Sequence, residues 1–225
     1  MPLPTYTISG KIDGFGAQYH AIMSGIAICE YKKYRYIHTP ITTIDHGVNV
    51  SEINNFIGIK KNKGTAHITE NYSAEVHFSP TPNIYYTDKV LRIIRSHYYS
   101  VEKPNIDTDI AIHIRRGDIN MEKHPSRYTI NSSYVKYIDQ LKKRYPTYAI
   151  KVFSQGVLDD FTDLGLGPEC FALNENITTT FHSLVRAKVL VMAKSSLSYS
   201  AALLNENIIY YQPFWHKKLD HWINL

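Results

Sequence analysis

The sequence predicts an α/β protein built on parallel sheet, and three observations predict it. Short apolar runs rich in β-branched residues, at 110–114, 149–153, 189–192 and 208–211, read as buried strands. Segments with apolar residues every three to four positions lie between them and read as covering helices. The chain also opens with a strand, a glycine-rich turn, a helix and a second strand, the start of a Rossmann-like layer.

The elements follow in order. A strand over 5–9 leads into Gly10-Lys-Ile-Asp-Gly-Phe-Gly16, and a helix follows with Phe15, Tyr19, Ile22, Ile26 and Cys29 on one face. Lys32 and Lys33 close that helix favourably for its dipole. A strand over 34–38 stops at Pro40. Residues 51–56 read as a short helix, and 65–69 and 75–78 as strands. Thr87 and Asp88 cap a helix to about residue 98. The polar stretch 104–109 is taken as the boundary between domains 1–104 and 105–225. In the second domain Asn131 is expected to cap a helix to about residue 144. Short helices follow over 157–164 and 178–187, and Ser195 and Ser196 cap another to 204. A strand is expected over 170–173, and residues 215–222 form an amphipathic tail.

Composition narrows the function. The net charge of +5 suits an anionic ligand, but the basic residues are dispersed and not interleaved with stacking aromatics, so no nucleic-acid platform is expected. Two cysteines, Cys29 and Cys170, make no disulfide framework. No stretch approaches the roughly 18 apolar residues of a membrane span. The opening residues lack the basic and apolar regions of a secretory leader. The expectation is a cytoplasmic chain with no membrane span. No His-Glu-x-x-His or paired-cysteine spacing appears among eleven scattered histidines, so no metal site is expected.

Chemistry concentrates in three places. The run Asp109-Ile-Ala-Ile-His-Ile-Arg-Arg-Gly-Asp118 ends a buried strand in His113, Arg115, Arg116, Gly117 and Asp118. Two arginines at a strand mouth call for an anion, and the carboxyl end of a strand is where α/β proteins bind ligands. A guanidinium fork suits a diphosphate. Alternation along the strand lets only one arginine point straight into a cleft. The loop Asp13-Gly-Phe-Gly-Ala-Gln18 places glycines before a helix N-terminus, where backbone N–H groups can approach an anion or a sugar. The segment Ala193-Lys-Ser-Ser-Leu-Ser-Tyr-Ser-Ala-Ala202 follows a buried strand and suits either phosphate binding or plain N-capping. Walker A and Gly-x-Ser-x-Gly patterns are missing.

These segments resemble a known family. His113-Ile-Arg-Arg-Gly-Asp118 resembles the His-x-Arg-Arg-Gly-Asp motif of the α1,2-fucosyltransferases and of the wider α1,6- and protein-O-fucosyltransferase superfamily. Gly14-Phe-Gly-Ala-Gln18, Val152-Phe-Ser154 and Ser195-Ser-Leu-Ser-Tyr-Ser-Ala-Ala-Leu-Leu204 are similar to three further segments of that family, in the same order. The chain departs in having Gln155-Gly156 after the Phe-Ser strand, Tyr199-Ser200 for an aromatic pair, and Ala17 in the first loop.

The resemblance implies a GT-B fold of two Rossmann-like domains with parallel sheets, the N-terminal one reduced and on the acceptor side. It implies metal-independent, inverting transfer of fucose from GDP-fucose to a glycan hydroxyl. GDP-fucose is then a donor substrate, and no cofactor or metal is expected. Arg115 and Arg116 would bind the diphosphate or fix the motif, with Gly117 and Asp118 shaping the turn. His113 would contact the nucleotide. Ser195 and Ser196 would meet phosphate, and Phe153 and Ser154 would lie near the donor. Gly14, Phe15, Gly16 and Gln18 would face the cleft. The candidate general bases are Glu122, His124 and Asp13. The alternatives are the same fold with another nucleotide sugar, or a noncatalytic nucleotide or nucleic-acid binder.

Overall fold

The computed structural model describes residues 3–45 and 47–225; Met1, Pro2 and His46 lie outside the described residues. The chain divides into two compact units. One comprises Met1–Lys103 with Trp215–Asp220, the other Pro104–Phe214 with His221–Leu225. The expectation of a second domain running unbroken to residue 225 is therefore corrected, because residues 215–220 belong to the first unit.

In the first unit a three-stranded parallel sheet runs β2-β1-β3, with β1 at Thr5–Ile8, β2 at Arg35–Tyr36 and β3 at Ile68–Glu70. Helix α1 (Phe15–Lys32) connects β1 to β2. Nearly all of it is buried, not just the face the spacing predicts, because it packs against β1, β2 and two further helices. Those are α3 (Ala74–His77) and α4 (Asp88–Tyr98). Thr87 caps α4, its hydroxyl accepting from the Val90 amide. The strand expected over 75–78 is instead the short helix α3. Ala74 and Glu75 are good helix formers, and among the described residues no strand pairs with this stretch to reward extension.

Helix α2 (Val50–Ile57) is capped by the Asn49 side-chain oxygen, which accepts from the Ser51 and Glu52 amides. It ends at Gly58 in the left-handed region, φ 73°. A Cβ there would stand 2.2 Å from the His97 carbonyl oxygen of α4.

The second unit carries six parallel strands: β4 (Thr108–His113), β5 (Ile150–Ser154), β6 (Phe171–Leu173), β7 (Ala187–Val191), β8 (Ile208–Tyr211) and β9 (Ile223–Asn224). Their spatial order is β6-β5-β4-β7-β8-β9. Counted from β4 this is 3-2-1-4-5-6, the Rossmann order, and it reverses direction between β4 and β7. Central β4 is flanked on both sides, which explains its unbroken Ile110-Ala111-Ile112 run.

Helix α5 (Asn131–Arg144) and the 3-10 stretch Leu158–Leu164 cover one sheet face. Tyr134, Ile138, Leu141, Phe161 and Leu164 meet Ile110, Ile112, Val152, Val189 and Val191 there. Helices α6 (Ile177–Arg186) and α7 (Ser196–Leu204) pack on each other, and α6 on β4. Residues 215–222, expected as an amphipathic tail, form no helix; Trp222 is buried against Tyr199 and Tyr211. Among the described residues no helix is long and apolar enough to cross a membrane.

Gly58→Ala should destabilise the chain by at least about 1–2 kcal/mol, the cost of a side chain in the left-handed region, before any cost of moving α4 away. A lower midpoint in urea unfolding, at unchanged slope, checks this.

Candidate active site

The reversal of strand order fixes where a ligand belongs in the second unit. In open α/β sheets the ligand crevice lies beyond the carboxyl ends of the two strands at the switch point. Here those strands are β4 and β7, paired in register with Ile112 opposite Val191. Beyond β4 the chain continues as Ile114-Arg115-Arg116-Gly117-Asp118, and beyond β7 as Met192-Ala193-Lys194-Ser195-Ser196. The arginine motif and the serine segment therefore leave the sheet from adjacent strands.

His113 ends β4 and is only 7% exposed. Its Nδ1 is buried without a hydrogen-bond partner among the described residues. Burial pushes its pKa down to about 3; Arg115 adds to this and Asp118 opposes it. The ring is neutral at physiological pH, so one nitrogen can accept and the other donate.

The two arginines do different work. Arg116 stacks on Tyr128, 4.1 Å from the ring centroid. It donates to the carbonyl oxygens of Arg115 and Thr129, each at 2.9 Å, and to Asn131 Oδ1 at 2.6 Å. The Thr129 hydroxyl donates to Gln212 Oε1, and Gln212 Nε2 donates to the Met192 carbonyl and to Tyr134 Oη. Arg116 is thus an internal strut that fastens the loop after β4 to the ends of β7 and β8. Arg115 instead forks onto Asp118, with Nη2 to Oδ2 at 2.5 Å and Nε to Oδ1 at 3.2 Å. This pair is partly solvated, and Nη1 is not used in the fork.

Asn131 is expected from its chemistry to cap α5. Ile130 takes that position, because the Asn131 side chain is held by Arg116 on one side and by the Asp160 carbonyl and Asp163 carboxylate on the other. Gly117 makes the tight turn at φ 83°, where a Cβ would stand 2.3 Å from Gln155 Oε1.

On the β7 side, Ser195 caps α7, its Oγ accepting from the Leu197 amide at 3.2 Å. Ser195 and Ser196 are both buried. Lys194, between the strand and the cap, is half-buried; its one signal in the sequence is positional, a cation directly after a buried strand. Phe153 is 3% exposed and belongs to the core, while Ser154 ends β5 with its hydroxyl donating to the Gln155 carbonyl. Glu122 is exposed in the loop after the motif, and His124 is half-buried there with Nδ1 lacking a partner among the described residues.

The first-unit candidates sit around the start of α1. Gly14 holds the N-cap position and Asp13 Oδ1 accepts its amide at 2.8 Å, while Asp13 Oδ2 pairs with Lys11 at 3.3 Å. Gln18 is spent as a brace: its Nε2 donates to the Asp13 and Thr43 carbonyl oxygens, both at 2.7 Å. Phe15 turns into the core against Tyr19 and Phe56, and Gly16 is buried in the first turn. The expectation of scattered histidines with no metal-ligand cluster is corrected. Histidines 20, 77 and 216, far apart in sequence, are brought together by the folding of this unit.

Two outcomes follow from this geometry. Arg116→Ala should lower stability by about 2–4 kcal/mol by stranding its acceptors, whereas Arg115→Ala should cost no more than about 1 kcal/mol. Urea unfolding of both variants checks the ordering. His113 is neutral when folded down to about pH 3 but takes a proton near 6.5 when unfolded. Its contribution is therefore complete above pH 6.5 and is lost as pH falls from there toward 3. Melting temperature followed from pH 8 to 4 should fall less steeply in His113→Gln.

Comparison with known proteins places this geometry. The model of glycosyl transferase family 11 matches residues 51–214, which spans the arginine motif and the serine-capped helix. No curated protein matches the chain. Among solved structures, E. coli heptosyltransferase WaaC with ADP-2-deoxy-2-fluoro heptose is 11% identical, with a TM-score of 0.47, over 100% of this chain and 93% of that one. The same enzyme with ADP gives 0.39 at 11% identity over 95% and 88%. The family match covers most of the chain and leads to one conclusion: the chain belongs to glycosyl transferase family 11, the α1,2-fucosyltransferase family, and is a glycosyltransferase built on two parallel sheets.

Proposed function

We propose that the chain transfers fucose from GDP-fucose to a glycan hydroxyl, with inversion and without a metal ion at the diphosphate. The observation that carries this is that Arg115 and the capped start of α7 leave the sheet from the adjacent strands β4 and β7, at the switch point. An arginine fork and a helix N-terminus together can neutralise a diphosphate. The unpartnered Nδ1 of His113 offers a place for a nucleotide hydroxyl or phosphate oxygen. The second unit is accordingly the donor-binding domain.

In the proposed reaction the acceptor oxygen attacks the anomeric carbon. The bond from that carbon to the β-phosphate oxygen breaks, and GDP leaves with the electron pair. Donor binding requires Arg115 to exchange its fork on Asp118 for phosphate oxygens, where it stabilises the charge that grows as the bond breaks. Arg116 holds the loop that presents Arg115, so it acts as a positioning residue. The acceptor proton passes to Glu122, an exposed carboxylate in the loop after the motif. His124 in the same loop is the next candidate. Asp13 is the least suited, because its oxygens are engaged by Lys11 and the Gly14 amide.

A thermal-shift panel of GDP, GDP-fucose, UDP and dTDP in EDTA tests the donor. Stabilisation by the guanine nucleotides is expected. A larger shift with UDP or dTDP would assign another nucleotide sugar. No shift with any nucleotide, together with salt-sensitive oligonucleotide binding, would leave a noncatalytic binder. Arg115→Ala should lower kcat about 10²–10³-fold, the usual effect of deleting a donor to a developing anion. Full activity in that variant would remove Arg115 from the assigned role.

A further inference from the structure

We propose that His20, His77 and His216 bind a divalent transition-metal ion of the zinc class, within the first unit. The three come from α1, from the end of α3 and from the segment 215–220, and one ring nitrogen of each lies within 4.8 Å of those of the other two. Ring centroids stand 4.2 Å apart for His20 and His216, 4.3 Å for His77 and His216, and 5.2 Å for His20 and His77. Three imidazoles and no thiolate suit zinc, copper or nickel more than calcium or magnesium. Zinc binds imidazole nitrogen at about 2.0–2.1 Å, so the ion would draw the rings inward by side-chain rotation, and water would complete a tetrahedron.

The protonation state is the one a metal needs. Burial holds all three rings neutral. Burial and the other two histidines push His20 well below its ordinary value, and His77 and His216 sit at about 4 and 3. Lys11 adds positive potential, but it is paired with Asp13 at 3.3 Å.

Outer partners of the kind that orient metal-bound histidines are present as well. His20 Nε2 is 3.0 Å from Tyr86 Oη, which leaves Nδ1 to ligate. His216 Nδ1 stands 3.3 Å from the His77 carbonyl, which fixes Nε2 as its ligating atom; the ion would take over the place now held by the Trp215 indole N–H. His77 Nδ1 is buried with no hydrogen-bond partner among the described residues, an unmet need that a metal bond would satisfy.

The test uses the full chain without a histidine tag, stripped with chelator and titrated with Co²⁺ and then Zn²⁺. One Co²⁺ per chain with the intense visible bands of four-coordinate cobalt is expected, displaced by one equivalent of Zn²⁺, and Zn²⁺ should raise the melting temperature. His77→Ala should weaken binding by more than about 100-fold, and Tyr86→Phe, which keeps every ligand, by about 10-fold. A cobalt spectrum identical to that of the free aqueous ion, with no melting shift on adding Zn²⁺, would overturn the site. That outcome is read on the unaltered chain, so it stands even where His77→Ala fails to fold. The shifts produced by Zn²⁺ and by GDP should add, so failure of the metal site and failure of the donor assignment are read separately.

Discussion

The carboxyl edge of the second sheet depends on one guanidinium. Arg116 gathers the carbonyls of Arg115 and Thr129, the side-chain amide of Asn131 and the ring of Tyr128. Through Thr129 and Gln212 the same network reaches Met192 and Tyr134. A planar group with five fixed donors is suited to this, because each acceptor is met in one plane. The result is a loop of irregular backbone whose polar groups are satisfied from within. Arg115, one residue earlier, inherits its position from that frame. The adjacent arginines thus differ: the inner one is fixed by several acceptors, and the outer one is held by a carboxylate that is partly in water.

Much of this was legible in the residues. The Ile110–Ile112 run reads as a buried strand, and Ser195 after a buried run reads as the start of a helix, as the structure has them. The strand order, and with it the switch point, follows from pairing that no local pattern encodes. Local reading errs where a distant partner captures a side chain. Asn131 has the chemistry of a cap, yet Arg116 holds it. Gln18 and Phe15 lie in a loop that looks made for ligands, yet one braces the backbone and the other fills the core. The histidine cluster is invisible in the sequence for a plainer reason. Its members are separated by 57 and 139 positions, so no spacing rule could join them.

The contrast between the two histidine environments is instructive. His113 is neutral because it is buried at the end of a central strand, and its Nδ1 has no hydrogen-bond partner among the described residues. The trio in the first unit is held neutral chiefly by burial, with neighbouring rings adding to this at His20 and His216. The same chemistry, a desolvated imidazole, serves a different end according to what stands beside it.

The return of residues 215–220 to the first unit has a consequence for how the chain can be divided. The second unit ends its main run at Phe214, hands six residues to the first, and then takes back His221–Leu225 as the edge strand β9 with the buried Trp222. A cut between Lys103 and Pro104 therefore does not release two self-sufficient halves. The front fragment lacks His216, and the rear fragment carries a length of chain whose packing partners have gone. Each unit is built from two separate stretches of sequence, so the two are interlaced along the chain, and no single cut separates them.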